Sequence, residues 1–188
     1  MNMRSYKTEG IIIKRRNFGE SDRILSVLTR NYGKIQVRAP GVRKITSRRS
    51  SHIELLNLTY LTLYRGSHWS LPIVTEAQAQ EEFLPIKKTL RKVGLAYYIC
   101  ELIDSLCAQN QENRKTFFLT RETLFALCHK ESIASSIIGN FEDELLVALG
   151  FLPRQHKLAD RRSFIESILE KKLRTRRLLP LFLDNGEG

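Results

Sequence analysis

The sequence predicts an α+β chain of two domains: a five-stranded β barrel over residues 1–80 and an all-helical domain over residues 81–188. Two observations carry that expectation. The first 80 residues are short alternating or β-branched runs separated by turn clusters, whereas from residue 84 apolar residues recur at helical spacing. Charge divides at the same place. Residues 1–80 hold 14 Lys and Arg against 5 Asp and Glu, and the remainder holds 17 against 15, so most of the net +11 lies in the first domain. A basic field confined to one half points to a polyanionic partner for that half. At 42% hydrophobic and 27% charged, the balance is that of a globular protein rather than a disordered one.

The strands follow in order. "EGIIIKRR" is a β-branched run closed by the turn-like "NFGESD", and "RILSVLTR" follows up to the "NYGK" turn. In "KIQVRAP", Ile35, Val37 and Ala39 share one face, and Lys34, Gln36 and Arg38 share the other. "ELLNLTYLTLYRG" changes phase: Leu56, Leu58 and Tyr60 keep one, Leu61 and Leu63 the opposite. A bulge, a sharp coil or two-sided burial each accounts for that slip. "WSLPIVTEAQAQ" supplies the fifth strand. Five strands at this spacing suggest a small closed or partly open barrel.

The helices are read from period. Leu90, Val93, Tyr97 and Cys100 begin a stripe that "LAYYICELIDSLC" continues. "KTFFLTRETLFALC" and "SIIGNFEDELLVALG" are two further amphipathic helices, the second closed by Gly150. After Pro153, "DRRSFIESILEKKLRTRRLL" reads as a basic helix that breaks at Pro180. The odd count of three cysteines, without a C-x-x-C pair, fits neither a disulfide framework nor a zinc site. Cys100 and Cys107, seven apart on one face of a helix, are expected as buried thiols in a reducing compartment, and Cys128 is the third cysteine. No secretory h-region opens the sequence, and no apolar run reaches membrane-span length. The expectation is a soluble, cytoplasmic protein.

Catalytic signatures are missing: there is no phosphate-cradling glycine loop, no H-E-x-x-H and no G-x-S-x-G. His52, His68, His129 and His156 show no ligand spacing. The nearest approach to an acidic cluster is Glu20, Asp22 and Glu76, which a metal-dependent nuclease would need. For Asp22, in its turn-rich segment, a structural role is the plainer reading.

Binding has better support. Between Asp22 and Glu54 stand Arg23, Arg30, Lys34, Arg38, Arg43, Lys44, Arg48 and Arg49, without one carboxylate. A five-stranded barrel with a basic loop between its third and fourth strands has the character of an oligonucleotide-binding (OB) fold. Lys34, Arg38, Arg43, Lys44, Arg48 and Arg49, with Arg15 and Arg16 at the end of the first strand, are the candidate phosphate contacts. Trp69, near the turn between the fourth and fifth strands, is a candidate for stacking on an unpaired base, and Tyr32 is a weaker one. Nothing in charge or aromatics separates DNA from RNA, so an RNA-binding or ribosome-associated factor is the alternative within the same class.

"GIIIKRRNFGESDRILSVLTRNYGKIQVRAPGVRK" resembles the opening of the RecO family of DNA repair and recombination-mediator proteins. The likeness is carried by Gly19, Glu20, Asp22, Arg23 and Ile24, then Thr29, Tyr32 and Gly33, then Gly41, Val42, Arg43 and Lys44. It continues in "EAQAQEEF", "AYYICELID", "FEDELLVALGFLP" and "LRTRRLL". The resemblance implies an N-terminal OB fold and a C-terminal helical domain. It also implies binding of single- and double-stranded DNA and annealing of complementary strands. The implied partners are RecR and the single-stranded DNA-binding protein, with which such proteins help load the RecA recombinase. Many members carry a four-cysteine zinc module after the segment matching "GFLP", but "RQHKLADRRSF" has no cysteine and the region is short, so no zinc and no other cofactor is expected. For the acidic tail of the single-stranded DNA-binding protein, the basic helix offers Lys171, Lys172, Arg174 and Arg177 as contacts. The expectation is a non-enzymatic, DNA-binding recombination mediator in the cytoplasm, associated with the nucleoid.

Overall fold

A computed structural model of the chain describes residues 4–66, 71–129, 134–154, 158 and 160–177. All five expected strands are present: β1 (Arg4–Phe18), β2 (Asp22–Thr29), β3 (Gly33–Ala39), β4 (Leu58–Arg65) and β5 (Ile73–Glu81). They form a closed barrel in the order β1-β2-β3-β5-β4, the topology of an OB fold. β1 pairs antiparallel with β2 along one edge and with β4 along the other, and closure comes from a parallel contact of Arg38 in β3 with Ile73 in β5.

The sequence pattern explains which residues fill it. Ile35, Val37 and Ala39 alternate inward from β3, as their period of two requires. Ile12, Leu25, Val27, Leu61, Leu63 and Val74 join them, and Val42 and Ile53 from the β3–β4 connection complete the cluster. The pairing of β1 with β2 slips between Ile12 and Lys14, a bulge that lets Ile11, Ile12 and Ile13 all be buried. Beyond it, Lys14 to Phe18 pair with β2 alone and are all exposed. The phase slip around Leu58 has two sources. Leu56 precedes the strand in a left-handed conformation (φ 75°), and the register of β4 against β5 shifts between Leu58 and Thr59.

The described residues fall into two compact units. One holds residues up to Glu82 together with Ala108–Phe117, and the other holds Phe83–Cys107 and the residues from Phe118 onward. Nothing in the hydrophobic period marks 108–117 as part of the barrel unit. It is held there by backbone contacts: Gln109 bridges Lys34, and the Asn110 N–H donates to the Lys34 carbonyl at 2.8 Å. Gly33 makes that approach possible. Its φ is +65°, and a Cβ built on it would sit 1.8 Å from the Gln111 carbonyl oxygen. The turn before it is locked by Thr29, whose hydroxyl donates to the Gly33 carbonyl at 2.7 Å and accepts the Tyr32 N–H at 3.0 Å.

The second unit is helical: α1 (Leu84–Lys87), α2 (Leu90–Leu106), the greater part of α3 (Arg114–His129), α4 (Ala134–Ala148) and α5 (Arg161–Leu169). Leu95, Ile99, Leu102 and Ile103 of α2 are fully buried, with Leu124, Leu127, Leu145, Leu146 and Ile165 from the other helices. Gly150 closes α4 as expected, at φ 82°, donating to the Val147 carbonyl while the Phe151 N–H reaches back to Leu146. Among the described residues no helix is long and apolar enough to cross a membrane. The single long basic helix expected after Pro153 is corrected. α5 ends at Leu169, Glu170 turns left-handed (φ 51°), and Arg174–Arg177 form a separate 3-10 turn. Two carboxylates explain the break. Glu166 accepts the Leu173 N–H at 3.0 Å, and Glu101 of α2 accepts the N–H groups of Arg174 (2.6 Å) and Thr175 (2.9 Å) and the Thr175 hydroxyl.

Two glycine substitutions test the Gly33 approach. Gly33→Ala meets both a left-handed backbone and the Gln111 main chain, and the expected loss of stability is about 2–5 kcal/mol. Gly19→Ala shares the positive φ (+57°) but has nothing within 4 Å of a Cβ, so it should cost only about 1–2 kcal/mol. Denaturant midpoints of the two variants check the difference.

Candidate nucleic-acid interface

The β1–β2 turn and the exit of β3 lie at one end of the barrel, because Phe18 pairs with Asp22 and Arg23 pairs with Ala39. Asp22 joins them. Its Oδ1 accepts the Gly41 N–H at 2.8 Å and the Ser21 hydroxyl at 3.2 Å. Its Oδ2 accepts Nε (2.7 Å) of Arg38 and pairs with Nη2 (2.6 Å). The Gly41 hydrogen bond first, and then the Arg38 guanidinium, hold the Asp22 carboxyl below the usual carboxylate range against the opposing effect of burial. The β3–β4 connection is tied down in the same way. The Arg43 N–H donates to the Ser21 carbonyl at 2.9 Å and its Nη1 to the Gly19 carbonyl at 3.1 Å. The Arg49 guanidinium spans the carbonyls of Pro40 (2.7 Å) and Val74. Glu54 pairs with Arg15 and with Nη1 of Arg23 at 3.1 Å.

These contacts sort the expected phosphate ligands into two groups. Lys34 is only 6% exposed, so its expected place on an open face with Arg38 is corrected: the 108–117 segment bonded to its backbone covers that position. Arg38 is half-buried and committed to Asp22, Arg15 is paired to Glu54, and Arg49 serves as a clasp between backbone carbonyls. Arg49, expected among the phosphate contacts, thus has its fork turned onto the protein. Arg16, Arg43, Lys44 and Arg48 are exposed. Arg43 spends one guanidinium nitrogen on Gly19, while Arg16, Lys44 and Arg48 make no side-chain hydrogen bond or ion pair among the described residues. Successive turns, with the Lys44 N–H to the Gly41 carbonyl (3.1 Å) and the Ser47 N–H to the Lys44 carbonyl (2.9 Å), hold this stretch out from the barrel.

Of the aromatic candidates, Trp69 lies outside the described residues. Tyr32 is 40% exposed, with its ring edge-on to Tyr6 at 4.9 Å. The structure adds Phe18, 44% exposed at the end of β1, with the Arg38 guanidinium 5.3 Å from its ring centroid. Sequence reasoning missed it, although a phenylalanine between a basic stretch and a turn was the available signal. Lys171, Lys172 and Arg174 are exposed but follow the end of α5 rather than lining a helix, and the Arg177 side chain is outside the described residues. The nuclease alternative loses its central residue, since Asp22 is spent on Gly41 and Arg38, while Glu76 accepts from the Thr62 hydroxyl at 2.9 Å. Among the described residues no group of three or more His, Cys, Asp or Glu side chains is placed to hold a metal ion. The three cysteines are unbridged, and burial pushes the Cys100 thiol up to about 12.

Comparison with known proteins agrees with the architecture. Residues 3–83 match the family model described as "Recombination protein O N terminal", and residues 87–167 match "Recombination protein O C terminal". The chain is 38% identical over 159 residues to the DNA repair protein RecO of Roseiflexus sp. (strain RS-1), covering 85% of this chain and 55% of that protein. It is 33% identical over 149 residues to that of Moorella thermoacetica (79% and 54%). It is 36% identical over 155 residues to that of Dehalococcoides mccartyi (strain BAV1; 82% and 60%). The chain thus spans between half and two thirds of the length of these relatives.

Two measurements check the assigned roles. Asp22 has a depressed pKa in the fold, so its contribution is present above the ordinary carboxylate range and is lost as pH falls through the folded value. Asp22→Asn should cost about 1–3 kcal/mol at neutral pH. The gap to wild type should close in strong acid, as denaturation followed against pH would record. Arg49→Ala, which leaves two carbonyls short of a donor, should lower stability by about 1–3 kcal/mol, while Arg48→Ala should stay within about 0.5 kcal/mol of wild type.

Proposed function

The chain belongs to the RecO family, and from that premise we propose that it acts as a DNA-binding mediator of recombinational repair. Its barrel unit, residues 1–80 in the main, is the nucleic-acid-binding domain. It binds single- and double-stranded DNA, brings complementary strands together, and works without catalysing a covalent step. One observation carries the reading: cations at the β1–β2 and β3–β4 end of the barrel are divided between those the fold neutralises and those it leaves outward. Asp22 and Glu54 answer Arg38, Arg15 and Arg23, while Arg16, Arg43, Lys44 and Arg48 remain toward solvent. Outward cations release counterions when they meet phosphates, and they serve any base sequence, as strand annealing requires. Lowering the repulsion between two phosphate backbones lets their bases pair.

The finer assignments rest on the family. RecR and the C-terminal tail of the single-stranded DNA-binding protein are the proposed partners, RecA is served indirectly, and the place of action is the nucleoid in the cytoplasm. For the acidic tail, the exposed Lys171, Lys172 and Arg174 are the described cations of matching charge. Annealing of complementary strands coated with single-stranded DNA-binding protein, with and without this chain, tests the mediator role. An unchanged rate would overturn it. A DNA oligomer displaced by an RNA oligomer of the same sequence would instead favour the RNA-binding alternative.

For the interface itself, Lys44→Ala with Arg48→Ala should weaken DNA binding while leaving the melting temperature alone. The slope of log affinity against log salt should fall by roughly 1.4 on single strands, about 0.7 per lost phosphate contact. An unchanged slope would show that this stretch is merely solvated.

A further inference from the structure

We infer that Phe18 and Arg38 form a preorganised stacking platform for a single unpaired nucleobase at the β1–β2 end of the barrel. The inference deepens the nucleic-acid reading above and rests on it. Phe18 ends β1 beyond the last pairing with β4 and keeps 44% of its surface exposed, as Tyr32 (40%) and Tyr60 (41%) do, but among the described residues it alone of these three has a guanidinium over its ring. A large aromatic left in water is unfavourable unless something covers it. One cover is already there, since the Arg38 guanidinium lies over the ring with Cζ 5.3 Å from the centroid.

That guanidinium is anchored by Asp22. Asp22 takes its Nε and Nη2 at 2.7 and 2.6 Å and is itself fixed by the Gly41 N–H and the Ser21 hydroxyl. The Arg38 backbone N–H is held by the Pro72 carbonyl at 2.8 Å. The ring therefore sits against a planar cation held by Asp22, which is itself fixed by two donors, so little ordering remains to be done when a ligand arrives. Close by lie cations suited to the phosphate of the same nucleotide. Arg16 is two residues earlier in β1, and Arg43 has its Nη1 on the carbonyl of Gly19, the residue that follows Phe18. An aromatic face beside phosphate-binding cations takes an unpaired nucleobase of any identity, because every base has a π-face. A paired base, stacked on its neighbours, does not present one.

The test separates base from phosphate. Wild type, Phe18→Ala and Phe18→Tyr are titrated with a thymidine oligomer and with an abasic oligomer of equal length and phosphate count. Wild type should prefer the oligomer that carries bases. Phe18→Ala should lose that preference by about 5- to 150-fold, the range of one base–aromatic stack, with affinity for the abasic oligomer and the melting temperature unchanged. Phe18→Tyr should restore the preference, and Lys44→Ala with Arg48→Ala should weaken both oligomers alike. If wild type binds both oligomers equally, or Phe18→Ala weakens both to the same extent or neither, the platform is overturned while phosphate binding stands. If wild type binds neither oligomer, the nucleic-acid reading falls and the platform falls with it.

Discussion

The buried carboxylate of Asp22 is the constraint on which the working end of this barrel depends. It stands at the first residue of β2, yet its oxygens reach the last residues of β3 and the first of the connection beyond, through Arg38 and Gly41. Neither partner is interchangeable with a neighbour. Gly41 adopts a φ of +67°, which puts its N–H where the carboxylate can take it, and Arg38 alternates outward from a β3 whose other face is core. Remove the anion and three segments lose their common anchor: the turn at Ser21, the guanidinium on Phe18 and the entry to the basic connection. A charge so placed is stable because donors surround it, and its depressed pKa is the same fact stated thermodynamically.

A run of eight cations with no acid inside it looks, in sequence, like a region that must repel itself. The fold resolves this by using the acids at its two ends. Asp22 answers Arg38, Glu54 answers Arg23 and Arg15, and Glu9, from farther back in β1, lies 3.8 Å from Arg30. Backbone oxygen does the rest. Carbonyls carry enough partial charge to hold the Arg49 fork between Pro40 and Val74 and one guanidinium nitrogen of Arg43 at Gly19. What remains unanswered is a smaller and better-placed set than the sequence advertises, grouped at one end of the barrel. Fewer outward charges of one sign also means less self-repulsion to overcome on folding.

Much of the fold was legible in the chain because local periodicity and burial agree. The alternation in "KIQVRAP", the helical stripe from Leu90 and the Gly150 stop each follow from one short-range rule, and all three hold. What was not legible depends on partners far away in sequence. Lys34 reads as outward until residues 108–117 are placed against it, and nothing near Lys34 announces them. The basic helix after Pro153 has good helical period through Arg177, yet Glu101, 73 residues earlier, draws the Arg174 amide out of it. Among the cations, residue type cannot tell Arg48 from Arg49. Only the carbonyls of Pro40 and Val74 separate the outward charge from the clasp.

That division bears on what kind of recognition the surface is built for. Reading a base sequence takes rigid bidentate donors aimed at base edges, the work for which arginine is suited when its fork is free. Here the arginines held most rigidly, Arg38 and Arg49, have their forks turned toward the protein, onto Asp22 and onto two backbone carbonyls. The cations left outward, Lys44 and Arg48 among them, stand on a chain of tight turns with their long side chains exposed. Such groups follow a phosphate wherever it lies and discriminate poorly between bases. The annealing role proposed above would need that indifference, since it must serve strands of every sequence and release them once the bases have paired. Rigid geometry therefore holds the barrel's end in shape, and the outward charge is what the proposed function assigns to the nucleic acid.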